Sequence, residues 1–209
     1  MFKIGDRAVY PAQGVGVVEN IESREFCGQT HDFYILRIID NDMTIMVPVG
    51  NANQVGLRTL ISKDKVETIY NVLEEKQIGS LAIASWSRRQ REYNDKIKTG
   101  DPIDVAEVLR ELYLIKEEKE LSYGEKKVLE LARRLLVKEL ALAEGIEEDM
   151  VTERLENMVN RFQKERIKNF GSGTNEHSAL IIYSRRNYLL INLLINYFQM
   201  AVNTIEIVA

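Results

Sequence analysis

Ile61-Ser-Lys-Asp-Lys-Val-Glu-Thr-Ile-Tyr-Asn-Val-Leu73 is the stretch in which the hydrophobic period of the chain changes. Val66, Ile69, Tyr70 and Leu73 recur at i, i+3, i+4 and i+7 behind a serine, so the spacing predicts an amphipathic helix beginning near Lys63. Everything before it reads as strand. Arg7–Tyr10, Gly14–Glu22, Asp32–Ile39 and Met43–Val49 are rich in Val, Ile, Tyr and Phe and are parted by Gly5-Asp6, Gly28 and Asn41-Asp42. The links are too short for parallel crossovers, so the strands must run antiparallel, and a small curled β-barrel follows. Gly14 and Gly16 flank Val15 in a β-branched run that leads into a strand, which points to a bulge or barrel corner and not to a phosphate loop.

Everything after it reads as helix. A linker at Gln77–Ala84 precedes helices expected at Ser85–Lys98, Pro102–Glu118, Tyr123–Glu144 and Glu147–Lys168. Asp101 and Pro102 start the second of these, while Ser122 and Glu125 have capping-box spacing at the start of the third and Gly145 stands at its end. Val151, Leu155, Met158, Val159 and Phe162 fall on one side of the last. Strands first and helices second, not alternating, predict an α+β chain: a β module over residues 1–70, an all-α bundle over 78–168, and a tail over 169–209.

Composition narrows the function. With 209 residues, 45% hydrophobic and 29% charged, the chain is globular, and a net charge of −4 argues against a generic polyanion binder. Cys27 is the single cysteine, so neither an intramolecular disulfide nor a multi-cysteine zinc site is expected, and His31 and His177 supply it no catalytic base in a recognisable motif. The opening MFKIGDR lacks a secretory pattern, so a cytosolic protein is expected. Asn192, Asn196, Gln199 and Asn203 interrupt the apolar tail, which reads as an amphipathic helix or an appendage and not as a membrane span. No P-loop, nucleophile elbow, zinc-protease or EF-hand spacing occurs, and Glu117-Glu118 and Glu147-Glu148 sit among compensating cations. Neither an enzyme, a cofactor, a metal nor a small-molecule substrate is expected.

The unusual chemistry lies in Ala84-Ser-Trp86-Ser-Arg88-Arg89-Gln-Arg91-Glu-Tyr93, the only tryptophan followed by three arginines. Through Lys98, Arg88, Arg89, Arg91, Lys96 and Lys98 face only Glu92 and Asp95, a basic patch in an acidic chain. An indole beside guanidinium groups suits nucleic acid: arginine grips phosphate, and the ring stacks on a base or wedges at a distorted step. The same residues also fit a tryptophan packed between helices with its arginines in water. A second cluster, Lys126, Lys127, Arg133, Arg134 and Lys138, is interleaved with Glu125, Glu130 and Glu139 and reads first as an ion-paired face, second as a phosphate contact. Pro48 assigns the Met43–Val49 strand to a sheet edge, either open to strand addition by another protein or covered by the helix that starts at Lys63.

Phe2-Lys-Ile-Gly-Asp6, Val9-Tyr-Pro11, Gly14-Val-Gly16, Val47-Pro48, Val55-Gly-Leu-Arg58, Trp86-Ser-Arg-Arg89, Leu121-Ser-x-Gly-Glu-Lys126 and Glu139-Leu-Ala-Leu-Ala-Glu144 together resemble the CarD family of bacterial transcription regulators. The N-terminal module of that family is shared with transcription-repair coupling factor. The resemblance implies a Tudor-like barrel that binds the RNA polymerase β subunit and a helical domain that meets promoter DNA at the upstream edge of the transcription bubble. By position, Trp86 would be the wedge at the melted junction, with Arg88, Arg89 and Arg91 on the backbone and Lys96, Lys126 and Lys127 beside them. Arg24 and the strand Thr44, Ile45, Met46, Val47 would meet polymerase, Met46 standing where several relatives carry a basic residue. The protein would then sit in the cytoplasm, held at the nucleoid through polymerase. The chain beyond about Phe170 has no counterpart in the resemblance.

Overall fold

The computed structural model describes residues 1–26, 28–75 and 85–158. Cys27, the linker expected at Gln77–Ala84, the far end of the last helix, His177 and the tail lie outside the described residues. Strands β1 (Arg7–Tyr10), β2 (Gly14–Phe26), β3 (Gln29–Ile38), β4 (Thr44–Pro48) and β5 (Arg58–Thr59) form one antiparallel sheet in the order β4-β3-β2-β1-β5. Helices follow: α1 (Lys63–Glu74), α2 (Trp86–Thr99), α3 (Pro102–Glu118), α4 (Tyr123–Glu144) and α5, helical from 148 to 158. The chain is α+β, with strands and helices segregated as the change of period at Ser62 requires.

Alternation along β3 builds the sheet's core, because successive side chains point to opposite faces. Tyr34, Leu36 and Ile38 are buried with Ala8, Val18, Val47 and Leu57, whereas Arg37 faces water between Glu19 and Asp42. Gly16 serves close strand packing: a Cβ there would lie 2.8 Å from both the Arg37 carbonyl oxygen and Leu36 Cγ. The irregularity of the ladder falls between Val18 and Asn20. β2 and β3 both run further than their apolar residues indicate. Ser23 pairs with Asp32, its hydroxyl donating to the carboxylate at 2.6 Å, and the ladder continues to the pairing of Phe26 with Gln29 as an arm on which Ser23, Arg24, Glu25 and residues 29–32 are exposed.

The helices bury a second core. Val66, Ile69, Tyr70 and Leu73 of α1 join Tyr93, Ile97, Leu109, Leu112, Leu136 and Leu140, each fully buried side chain contributing about 1.5–3 kcal/mol. α1 therefore packs on α3 and α4, and β4 keeps β3 as its one ladder partner among the described residues. Ser62 precedes α1 in extended conformation without a side-chain capping bond, while Asp101 caps α3 by accepting from the Ile103 N–H at 2.9 Å.

Sheet and helices meet along β1, β2 and α4. Arg58 of β5 reaches across: its Nη1 and Nη2 donate to the two carboxylate oxygens of Glu139, and its Nε donates to the Gly100 carbonyl at 2.8 Å. The Ile61 N–H adds a third donor to Glu139 at 3.2 Å. Asp40 faces Lys138 at 3.4 Å and Arg134 at 3.6 Å. Pro11 packs against Gly100, where φ of 74° and a Cβ only 2.9 Å from Pro11 Cγ both demand glycine. A pocket of about 20 Å³, room for one water, lies at this contact between Pro11, Gly14, Arg58, Leu135 and Glu139, and a wider cleft opens beside it between residues 57–62 and 99–102.

Candidate nucleic-acid interface

Two helix N-termini come together at the tryptophan. α4 opens with a complete capping box: the Glu125 N–H donates to Ser122 Oγ at 3.3 Å, and the Glu125 carboxylate accepts from the Ser122 N–H and hydroxyl, each at 2.8 Å. That box turns Glu125 inward, where only 1% of it is exposed, and its other oxygen accepts from Arg89 Nη2 of α2. Burial alone would raise the carboxyl's pKa, but the Ser122 N–H and hydroxyl, Lys119 at 3.4 Å and Arg89 outweigh it and hold Glu125 below the usual carboxylate range.

This pair fixes the first turn of α2 against the first turn of α4, and Trp86 is laid between them. Its indole rests on Gly124, where a Cβ would stand 2.8 Å from Cζ2, and the Arg89 guanidinium lies 5.8 Å from the ring centroid. One side of the ring packs on the helical core while the residue as a whole stays half-buried. Trp86 is thus partly both things its sequence context allows: it is packed by the bundle, yet part of it faces water.

The cations divide in the same way. Arg88 and Arg91 are exposed and have no carboxylate partner among the described residues. Arg89, expected on the DNA backbone, is corrected by the structure: it is 4% exposed, and its guanidinium is committed to Glu125 inside the bundle. A charge buried that deeply must be paired, and Glu125 supplies the partner. Lys96 is half-buried and donates to Glu107 at 2.7 Å. Lys126 is exposed and donates to Glu120 at 2.8 Å, which holds that carboxyl below its ordinary pKa. Lys127 is exposed, its ammonium 4.7 Å from the centroid of the Tyr123 ring.

On the sheet, Arg24 lies on the hairpin arm and donates to Glu22 at 2.8 and 3.2 Å. Thr44 and Met46 are exposed on edge strand β4, and Ile45 is half-buried. The Val47 side chain, opposite Tyr34, is in the core, so Val47 can meet a partner only through its backbone. Gly124, Glu125 and Tyr123 belong to this site and escape a search for basic clusters. Their one signal is a glycine two residues into a helix, a poor helix former placed where a large ring needs room.

Among the described residues no group of three His, Cys, Asp or Glu side chains is placed to hold a metal, and no helix is long and apolar enough to cross a membrane. Residues 2–61 match the CarD-like/TRCF RID domain and residues 68–156 match CarD, C-terminal domain. YdeB of Bacillus subtilis (strain 168), whose name places it among transcription factors, is 34% identical over 151 residues, 72% of this chain and 97% of its own. The solved structure "CdnLNt from Myxoccoccus xanthus" is 54% identical, covering 30% of this chain and 89% of its own with a TM-score of 0.27. Two successive domain matches and a relative aligned along nearly its whole length establish that the chain belongs to the CarD family of transcription regulators.

Proposed function

We propose that this chain anchors to the β subunit of RNA polymerase through its sheet and stabilises the open promoter by placing Trp86 at the upstream fork of the bubble. The observation that carries the reading is the indole itself: seated on Gly124, partly exposed, and flanked by the exposed cations Arg88, Arg91, Lys126 and Lys127. The ring offers a face to an unpaired or partly unstacked base, and the cations supply sequence-independent affinity for the backbone beside it. Edge strand β4 and the arm bearing Arg24 are the surfaces on which polymerase would dock, β4 by adding its free edge to a strand of the partner. Residues 1–70 would thus anchor and residues 78–168 deliver the ring.

No bond is made or broken in this mechanism. A protein that binds the open complex better than the closed one shifts the equilibrium between them, by tenfold for each ~1.4 kcal/mol of differential affinity. One stacked aromatic, worth ~1–3 kcal/mol, supplies that. Trp86→Ala should leave polymerase capture unchanged and shorten the half-life of competitor-challenged open complexes by about tenfold. Equal half-lives for the variant and the parent protein would remove Trp86 from the mechanism. The inward pairing of Arg89 favours a second reading, a protein adaptor without DNA contact. In that case Trp86 emission is unaffected by forked DNA in the polymerase complex.

A further inference from the structure

Tyr123 is the first residue of α4, and its ring is left in water, 74% of the residue being exposed. Such a ring adds nothing to the core, so its surroundings carry its meaning. The next residue, Gly124, touches the indole, so the backbone of Tyr123 lies one residue's step, about 3.8 Å, from the seat of Trp86. Lys127, one turn along, places its ammonium over one face of the ring and leaves the rest of the residue open. Lys126 in the first turn of α4 and Lys119 at the end of α3 are more than half exposed, whereas Glu120 accepts from Lys126 and Glu125 is turned into the bundle. A surface ion pair such as Lys126–Glu120 is worth little and exchanges readily for phosphate.

We propose that Tyr123 is a second nucleic-acid-binding side chain, stacking on an unpaired base next to the one met by Trp86, with Lys127 and Lys126 on the phosphates of the same strand. The proposal rests on the fork-binding reading given above and extends it from a single wedge to a two-ring platform. A partly exposed indole seated on Gly124 and an exposed phenol on the residue before it, with Lys126 and Lys127 on the same turn, match the stacking-plus-phosphate chemistry of single-stranded nucleic acid. A protein partner would leave the surplus of lysine without a role.

The test uses the full chain in complex with polymerase on promoter DNA carrying 2-aminopurine at the upstream junction. Tyr123→Phe should match the parent protein, and Tyr123→Ala should lower quenching of the probe and shorten the open-complex half-life by about tenfold. In a Trp86→Ala background, Tyr123→Ala should remove the quenching that remains. Thermal melting of Tyr123→Ala should match the parent, since the ring buries little. If Trp86→Ala acts and Tyr123→Ala leaves quenching and half-life at parental values, the second ring is overturned and the fork reading survives. If neither variant has an effect, both fall.

Discussion

Arg89 and Arg88 are sequence neighbours with opposite employment, and burial decides which is which. Arg88 keeps its hydration and can exchange it for a phosphate, whereas Arg89 is held by a carboxylate that is itself bonded to Ser122. Removing the carboxylate takes a buried ion-pair partner from Arg89, so Glu125→Gln should cost about 3 kcal/mol of folding stability at neutral pH, read by urea denaturation. The sign of the pH dependence follows from the lowered pKa. Glu125 stays ionised in the folded chain at pH values where the unfolded chain has already taken up the proton. Its contribution is therefore complete above its ordinary value of 4.5 and is lost as pH falls through the lower folded value. The stability gap between parent and variant should be flat from about pH 6 to 8 and narrow progressively as pH falls below 4.5. A gap that widens on acidification would mean that Glu125 is protonated in the fold.

Among the elements, α3 and α4 have the bounds that sequence spacing predicts, because both are written in strong local signals: Asp101-Pro102 for one, the Ser122/Glu125 box and Gly145 for the other. β5 and the outer hairpin arm are missed for the converse reason. Arg58–Thr59 is a strand only because β1 offers it an edge, and the arm is stabilised by polar cross-strand pairs that carry no hydrophobic alternation. The meeting of α2 and α4 has its own test. Gly124→Ala puts a methyl group within 2.8 Å of the indole, so the ring must swing or α2 must shift. The emission of the single tryptophan should move to the red by several nanometres while the helical content stays that of the parent, alanine being the better helix former. An unmoved spectrum would show that the indole does not rest on this glycine.

At the scale of the whole molecule, the Arg58–Glu139 ion pair ties the sheet to the helices, beside the longer contacts of Asp40 with Lys138 and Arg134. Glu139 receives both arms of Arg58 and the Ile61 N–H, so Glu139→Leu strands a guanidinium and a backbone donor at the contact. It should cost about 3 kcal/mol and lower the melting temperature by roughly 6–12 °C, and calorimetry should resolve two transitions where the parent melts in one. A single transition at the parental temperature would refute a coupling role for Glu139. This tie matters to the proposed function, since an anchor on polymerase can aim a ring at DNA only if little gives between them. Local signals alone determined the α+β order, the antiparallel strands, most helix bounds and the singular chemistry around Trp86, because period, caps and turn residues act within a few positions of one another. Only the tertiary structure decided that Arg89 turns inward, that Gly124 seats the indole, that Tyr123 is left in water and that Arg58 reaches Glu139. Those facts depend on residues 36 to 81 positions apart being brought into contact, and no local pattern encodes which distant carboxylate a given arginine will find.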